Sequence, residues 1–193
     1  MMSAYSFALI RPLMKYFLNP LILLPLCFSL SAFSKPFTLS SNDISPGENM
    51  SNTQEFNGFG CTGGDVSPHL KWSDAPEGTK SFAITVYDPD APTGSGWWHW
   101  QLVNIPTHIT ELKAGVDATA LKHSMQIKND YGVAGFGGAC PPKGHGPHRY
   151  QFTVHALSVE SLQLPNDASG ALTGYMIKAN SLASSTIESL YER

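Results

Sequence analysis

Two segments, about fifty residues apart, hold the side chains of this chain that could do chemistry. The first runs Tyr87-Asp88-Pro89-Asp90-Ala91-Pro92, through Gly94-Ser95-Gly96, to Trp97-Trp98-His99-Trp100. The second runs from Gly137-Gly138-Ala139-Cys140-Pro141-Pro142 through Lys143-Gly144-His145-Gly146-Pro147 to His148-Arg149-Tyr150. Each couples a turn stiffened by proline or freed by glycine to ionisable groups, and each runs on into an apolar stretch. Carboxylate, imidazole and phenol on rigid loops at strand ends can line a small polar pocket. Imidazole, phenol and loop N–H groups can donate to the oxygens of an anion.

Within the first segment, Asp88 suits a pocket role and Asp90 a structural one, capping the turn. Alternation along a strand predicts His99 on the face opposite Trp98 and Trp100. Trp97 could flank a ligand, whereas Trp100 reads as packing. In the second segment, alternation puts His148 and Tyr150 on one face. Arg149 falls on the other, where an ion pair would brace the loop. His145 sits among glycines and is expected to be exposed.

These loops need strands to hold them. Phe37–Leu39, Ser81–Tyr87, His99–Ile105 and Tyr150–Leu157 read as strands, with a weaker one at Ser124–Ile127. A helix is predicted from Ser169 or Gly170 to about Asn180, with Leu172, Met176 and Ile177 on one face. The stretch Ser184–Tyr191 fits a last strand or a second helix. Short strands, long ordered loops and late helix indicate a mainly β fold, a β-sandwich with a minor helical part.

The N-terminus has a different character. Arg11 and Lys15 precede an apolar run, Tyr16–Leu30, broken by Pro20 and Pro25 and followed by Ser31-Ala32-Phe33-Ser34. This is the layout of a cleaved secretory signal over residues 1–34. An uncut membrane anchor is the alternative, but the run is short for a span of about 20 residues. The remainder, 35–193, suits a single domain, exported to the periplasm or secreted, with no integral membrane span after processing. It carries ten basic and fifteen acidic residues, a formal charge of −5. The basic residues are scattered, so no nucleic-acid surface is expected. Cys61 and Cys140 remain after Cys27 leaves with the signal. A disulfide between them fits an oxidising compartment, and two separate buried thiols are the alternative.

Asp88-Pro89-Asp90-Ala91-Pro92, Trp98-His99-Trp100 and Pro141-Pro142-Lys143-Gly144 through His148-Arg149-Tyr150 together resemble the phosphatidylethanolamine-binding protein family, in its bacterial Raf-kinase-inhibitor-like branch. Ser67-Pro68, Trp72 and Asp130-Tyr131-Gly132 also fit, and the resemblance covers nearly all of 35–193. It implies a β-sandwich of two antiparallel sheets with a few peripheral helices. It also implies a small anion pocket for phosphate or a phospholipid head group. In that pocket Asp88, His99, His148 and Tyr150 would bind the ligand and Pro142 would form a wall. Asp90, Trp97, Cys140 and Arg149 would support it. Cys140 departs from the eukaryotic members, which have glycine there. A side chain at this place reshapes the pocket rim, and a bond to Cys61 would tether the loop.

The expected function is therefore a non-enzymatic binding protein for a small anionic ligand, with no cofactor and no metal. An exported inhibitor or interaction protein acting on a protease or a host or envelope protein is the alternative. That reading brings in a protein partner, and a homodimer is compatible with either. Kinase inhibition does not suit an exported protein. Hydrolysis ranks behind both: no Gly-x-Ser-x-Gly occurs, and Cys140 could be a nucleophile only if reduced. A metal held by His99, His148 and Asp88 also ranks behind, because no local ligand spacing supports it.

Overall fold

The segment Ser81–Asp88 is apolar almost throughout because it forms the middle strand of a sheet that is covered on both faces. The computed structural model describes residues 35–193, and the expected signal segment, 1–34, lies outside the described residues. In chain order the strands are β1 (Thr38–Ser40), β2 (Asn57–Gly58), β3 (Cys61–Thr62), β4 (Leu70–Ser73), β5 (Ser81–Asp88) and β6 (Trp97–Pro106). There follow β7 (Glu111–Leu112), β8 (Met125–Gln126), β9 (His148–Leu157), the helix α1 (Gly170–Asn180) and β10 (Ser181–Tyr191). The main sheet has the order β10-β9-β5-β6-β8 and a second has β1-β4-β7. Neighbouring strands in both sheets pair antiparallel.

Alternation sorts the main sheet's side chains into two layers. Phe82, Ile84 and Val86 of β5 pack with Leu102, Tyr150, Phe152 and Val154, and with Leu70, Trp72 and Leu112 of the second sheet. Ala83, Val103 and Leu157 face the other way and meet Leu162, Ala168 and Ile177 beneath α1. The sandwich is thus two sheets plus a helical layer. β4 escaped the sequence reading because it is only four residues long, although it buries Leu70 and Trp72 in strict alternation.

The helix occupies the expected residues. Its N-cap is Ser169, whose hydroxyl accepts from the Leu172 N–H at 3.1 Å. Its buried face differs from the expected one. Ile177 is buried and Met176 partly so, but Leu172 is exposed. At 3.6 residues per turn Leu172 lies about 140° around the axis from Ile177. Gly170 and Gly174 let the helix lie close against Trp98, since a Cβ at Gly170 would collide with the indole ring. The open choice at the C-terminus resolves to a strand. β10 pairs with β9 over its length, and its downstream half is flanked by residues 47–50 through the Met50 and Leu190 backbone bonds.

Cys61 and Cys140 are joined in a disulfide, with Cα atoms 6.0 Å apart and a separation of 79 positions in sequence. Closing so long a loop removes conformational freedom from the unfolded chain. Replacing both cysteines by alanine is expected to cost about 2–4 kcal/mol of stability, read by urea unfolding. A double variant as stable as the parent would show that the bond does not hold the fold.

Candidate functional site

β5 ends at Asp88 just where β9 begins at His148, so the two side chains meet at one end of the main sheet. His148 Nδ1 and Asp88 Oδ2 are 2.7 Å apart and both residues are buried. The other carboxylate oxygen, Oδ1, accepts the backbone N–H of Asp90 at 2.8 Å. The carboxylate therefore clasps its own Pro-rich turn and the first residue of β9 together. On the opposite face of β9, Arg149 forms a two-pronged pair with Asp90. Its Nε and Nη2 reach Asp90 Oδ2 and Oδ1 at 2.9 and 2.7 Å, and its backbone N–H also donates to Oδ2. Asp90 and Arg149 thus brace the turn from outside, Arg149 on the side of β9 opposite His148.

His99 reaches the same place from β6 by a route that plain alternation misses. The β5–β6 register shifts between Val86 and Tyr87. This irregularity places Trp98 against α1 and Trp100 in the core, its ring against Phe136. His99 also turns to the core side, its ring 5.1 Å from that of Tyr150. The expected arrangement, with His99 opposite both tryptophans, is therefore corrected. An extra residue in one strand resets the alternation.

Asp88, Trp97, His99, Pro142, His148 and Tyr150 line one cavity of about 320 Å³, with Cys140 at its side. Asp90 and Arg149 do not line it. Seven further lining residues were not singled out from the sequence as pocket residues: Ala91, Pro92 and Thr93 belong to the first segment's turn, and four come from elsewhere. Tyr131 stacks on Phe56 with ring centres 3.8 Å apart and donates its hydroxyl to the Gly138 carbonyl at 3.0 Å. Phe59, 74% exposed, stands at the mouth in the β2–β3 turn, where both Phe59 and Gly60 have positive φ. Arg193 donates to the Pro141 and Gly60 carbonyls, tying the two sides of the rim. Pro141 completes the second segment's contribution. Of these four, only the Pro141-Pro142 and Asp130-Tyr131-Gly132 motifs were visible in sequence.

His145 is exposed as expected, but it is not idle. Its Nδ1 lies 2.7 Å from His148 Nε2. Both nitrogens of His148 are therefore occupied within the protein, one by Asp88 and one by His145. His99 directs Nδ1 at the carbonyls of Gly137 and Gly138, at 2.8 and 3.1 Å. A carbonyl can only accept, so Nδ1 carries the hydrogen and Nε2 of the neutral ring carries a lone pair. The glycine loop offers few free donors either. The N–H groups of Gly137, Gly138, Ala139, Gly144 and His145 go to His99, Asp65, Gln54, Arg193 and Pro142. The loop therefore does not form the anion nest that its glycine content suggests.

Electrostatics follow from this burial. Desolvation pushes the His99 pKa down, opposed by the bond to Gly137 and the charge of Asp88. The Tyr150 and Tyr131 phenols are pushed up, first by burial, then by nearby carboxylates including Asp88. Asp88 acts on the Tyr150 hydroxyl at close range, yet no partner meets hydrogen-bond geometry there. Trp97 Nε1 is likewise buried and unpaired. Among the described residues no group of three or more His, Cys, Asp or Glu side chains is arranged to hold a metal ion.

The fold and these side chains define a two-sheet β-sandwich with a small polar cavity at the end of its central strands. The chain belongs to the phosphatidylethanolamine-binding protein family, whose model matches residues 40–192. It is similar to the UPF0098 protein YbcL of Escherichia coli strain K12, 54% identical over 168 residues, covering 85% of this chain and 92% of that protein. The crystal structure of E. coli YbcL, described as a new member of the mammalian family, has a TM-score of 0.79 and covers 81% of this chain and 98% of that one. UPF0098 protein YbhB from the same organism is 46% identical over 156 residues, covering 79% and 98%. A Mycobacterium tuberculosis protein named as the lipoprotein LppC is 40% identical over 112 residues, covering 58% of this chain and 53% of that protein.

The Asp90 carboxyl is held down to about 2, chiefly by its hydrogen bond to Arg149. A depressed carboxyl stabilises the fold above its unfolded value of 3.8 and loses that contribution as pH falls toward about 2. Arg149→Ala is therefore expected to begin acid unfolding at a higher pH than the parent, followed by circular dichroism. Superimposable acid limbs would show that the pair does not brace the turn.

Proposed function

We propose that this chain is a non-enzymatic, exported binding protein whose cavity takes a small anion, phosphate or a phospholipid head-group-like ligand. Asp88, His99, Pro142, His148 and Tyr150 form the binding set, with Asp90, Trp97, Cys140 and Arg149 in support. One observation carries the reading: Asp88, His99, Pro142, His148 and Tyr150, drawn from three strands and a loop, converge on one cavity. The cavity's size also suits a head group rather than a lipid chain.

Cys140 is engaged in the disulfide, which removes the thiol that a hydrolase reading would need as nucleophile. Export to the periplasm or beyond is supported by the basic and apolar N-terminus, by the disulfide, and by the lipoprotein name of one relative. The alternative, an inhibitor or interaction protein, draws on the exposed aromatic Phe59 at the cavity mouth. Pull-down from periplasm or medium with the parent and Phe59→Ala would separate a rim-docked partner from a small-ligand role.

Calorimetry with inorganic phosphate and phosphoethanolamine tests the anion reading. A proton on either imidazole or ligand favours association, so affinity is expected to fall as pH rises across the histidine range. Tyr150→Phe is expected to weaken binding roughly tenfold. A flat pH profile with an unaffected Tyr150→Phe would sink the proposal.

A further inference from the structure

His148 lines the cavity, yet neither nitrogen of its ring is available to a ligand. Nδ1 lies 2.7 Å from Asp88 Oδ2, and Nε2 lies 2.7 Å from His145 Nδ1. While both contacts stand, the ring can offer only carbon-bound hydrogens. The two partners differ in how firmly they are held. Asp88 is buried, and its other oxygen closes its own turn through the Asp90 N–H. His145 is exposed, and its side chain makes no other hydrogen bond among the described residues. It stands between Gly144 and Gly146, whose φ values are 73° and 86°, and a Cβ at either would meet nothing within 4 Å. The backbone on both sides of the ring is thus uncrowded. A change of χ1 rotamer can lift the imidazole off His148 while the His145 N–H keeps its bond to the Pro142 carbonyl.

Counting hydrogens shows when the contact holds. A carboxylate oxygen only accepts, so His148 Nδ1 donates to Asp88 and Nε2 of the neutral ring is a lone pair. Neutral His145 then donates from Nδ1. If His148 takes up a proton, Nε2 donates instead, and His145 accepts through Nδ1 with its own hydrogen moved to Nε2. One added proton is therefore accommodated. A second puts hydrogens on both facing nitrogens and positive charge on two rings whose centres are 5.0 Å apart, and the contact is lost.

We infer that His145 is a latch on the binding site: it occupies His148 Nε2 in place of a ligand and swings away before His148 can hold one. The inference rests on the anion-binding reading above and gives His145 a competing part in it. The charged and titratable groups facing the pair come from four places. Asp88 ends β5, and Asp90 lies in the turn beyond it, close enough to feel the charge of His148. Tyr191 is the cross-strand neighbour of His148 on β10. Arg193 follows it, its carbonyl accepting the Gly144 N–H beside the latch.

Calorimetry with inorganic phosphate and nitrogen NMR of the imidazoles, on the parent and on His145→Ala, decide the matter. Near neutral pH the variant is expected to bind phosphate roughly two- to tenfold more tightly, the net worth of one hydrogen bond that the parent must give up. As pH falls through the histidine range the advantage is expected to shrink, because the second proton opens the latch in the parent as well. A ring that merely supported the loop would produce no such convergence. Equal or weaker phosphate binding by the variant near neutrality would overturn the inference and leave the anion reading intact. Without ligand, the His148 Nε2 signal of the parent is expected to differ from that of the variant near neutrality and to approach it in acid. Signals that coincide at every pH would overturn the latch even where phosphate binds. Phosphate binding to neither protein, with the signals behaving as expected, would overturn the anion reading and leave the latch standing.

Discussion

The buried carboxylate of Asp88 is the constraint around which this end of the molecule is built. A charge removed from water must be met by donors or it will not remain ionised. Asp88 finds them in the His148 ring and the Asp90 N–H. The first bond joins the end of β5 to the start of β9. The second closes the turn that carries Pro89 and Pro92. The sheet ladder itself stops one residue earlier, its last β5–β9 pair being Tyr87 with Gln151. Beyond that point the carboxylate, with the Asp90–Arg149 pair outside it, does what backbone bonds do elsewhere. The two loops are therefore held in register by side chains rather than by secondary structure.

The second loop is held from its other side. The Cys61–Cys140 bond attaches it to the β2–β3 hairpin, and Arg193 spans from the Pro141 carbonyl to Gly60. Phe59 and Gly60 turn that hairpin with positive φ at both places, a conformation that glycine takes freely and a bulky side chain does not. The turn leaves the Phe59 ring out in solvent at the rim. A side chain at the Cys140 position thus joins two rim elements as well as altering the wall between them.

How much of this could be read in the sequence depends on how local each feature is. The long run 81–87 and the alternation through His148, Arg149 and Tyr150 are local, and both strands and the shared face of His148 and Tyr150 emerge directly. The same alternation sends Arg149 outward, although it does not name Asp90 as its partner. His99 does not, because the irregularity that turns it depends on how β5 pairs with β6. Leu172 looked like part of a buried helix face because apolarity was read without Gly170 and Gly174, whose lack of side chains sets where Trp98 lies. The contacts that Tyr131 and His145 make were hidden for a related reason. Each acts through a partner in another segment or across a turn, Gly138 in one case and His148 in the other. No periodicity announces such contacts.

The glycines of the second loop show how backbone packing reaches the chemistry. Gly144 and Gly146 have positive φ, but Gly137 and Gly138 do not. Their role is close approach. A Cβ at Gly138 would strike the backbone of residues 54–56, and one at Gly137 would strike the Tyr131 ring and the Asn129 side chain. Lying that near, the loop gives its N–H groups to Gln54, Asp65 and His99 and turns two carbonyls onto His99 Nδ1. Those carbonyls settle which nitrogen of the ring holds the hydrogen, and so whether the neutral imidazole greets a ligand as donor or acceptor. A sequence feature that suggests an anion cradle of backbone N–H groups instead acts through the carbonyls, by setting the polarity of a histidine.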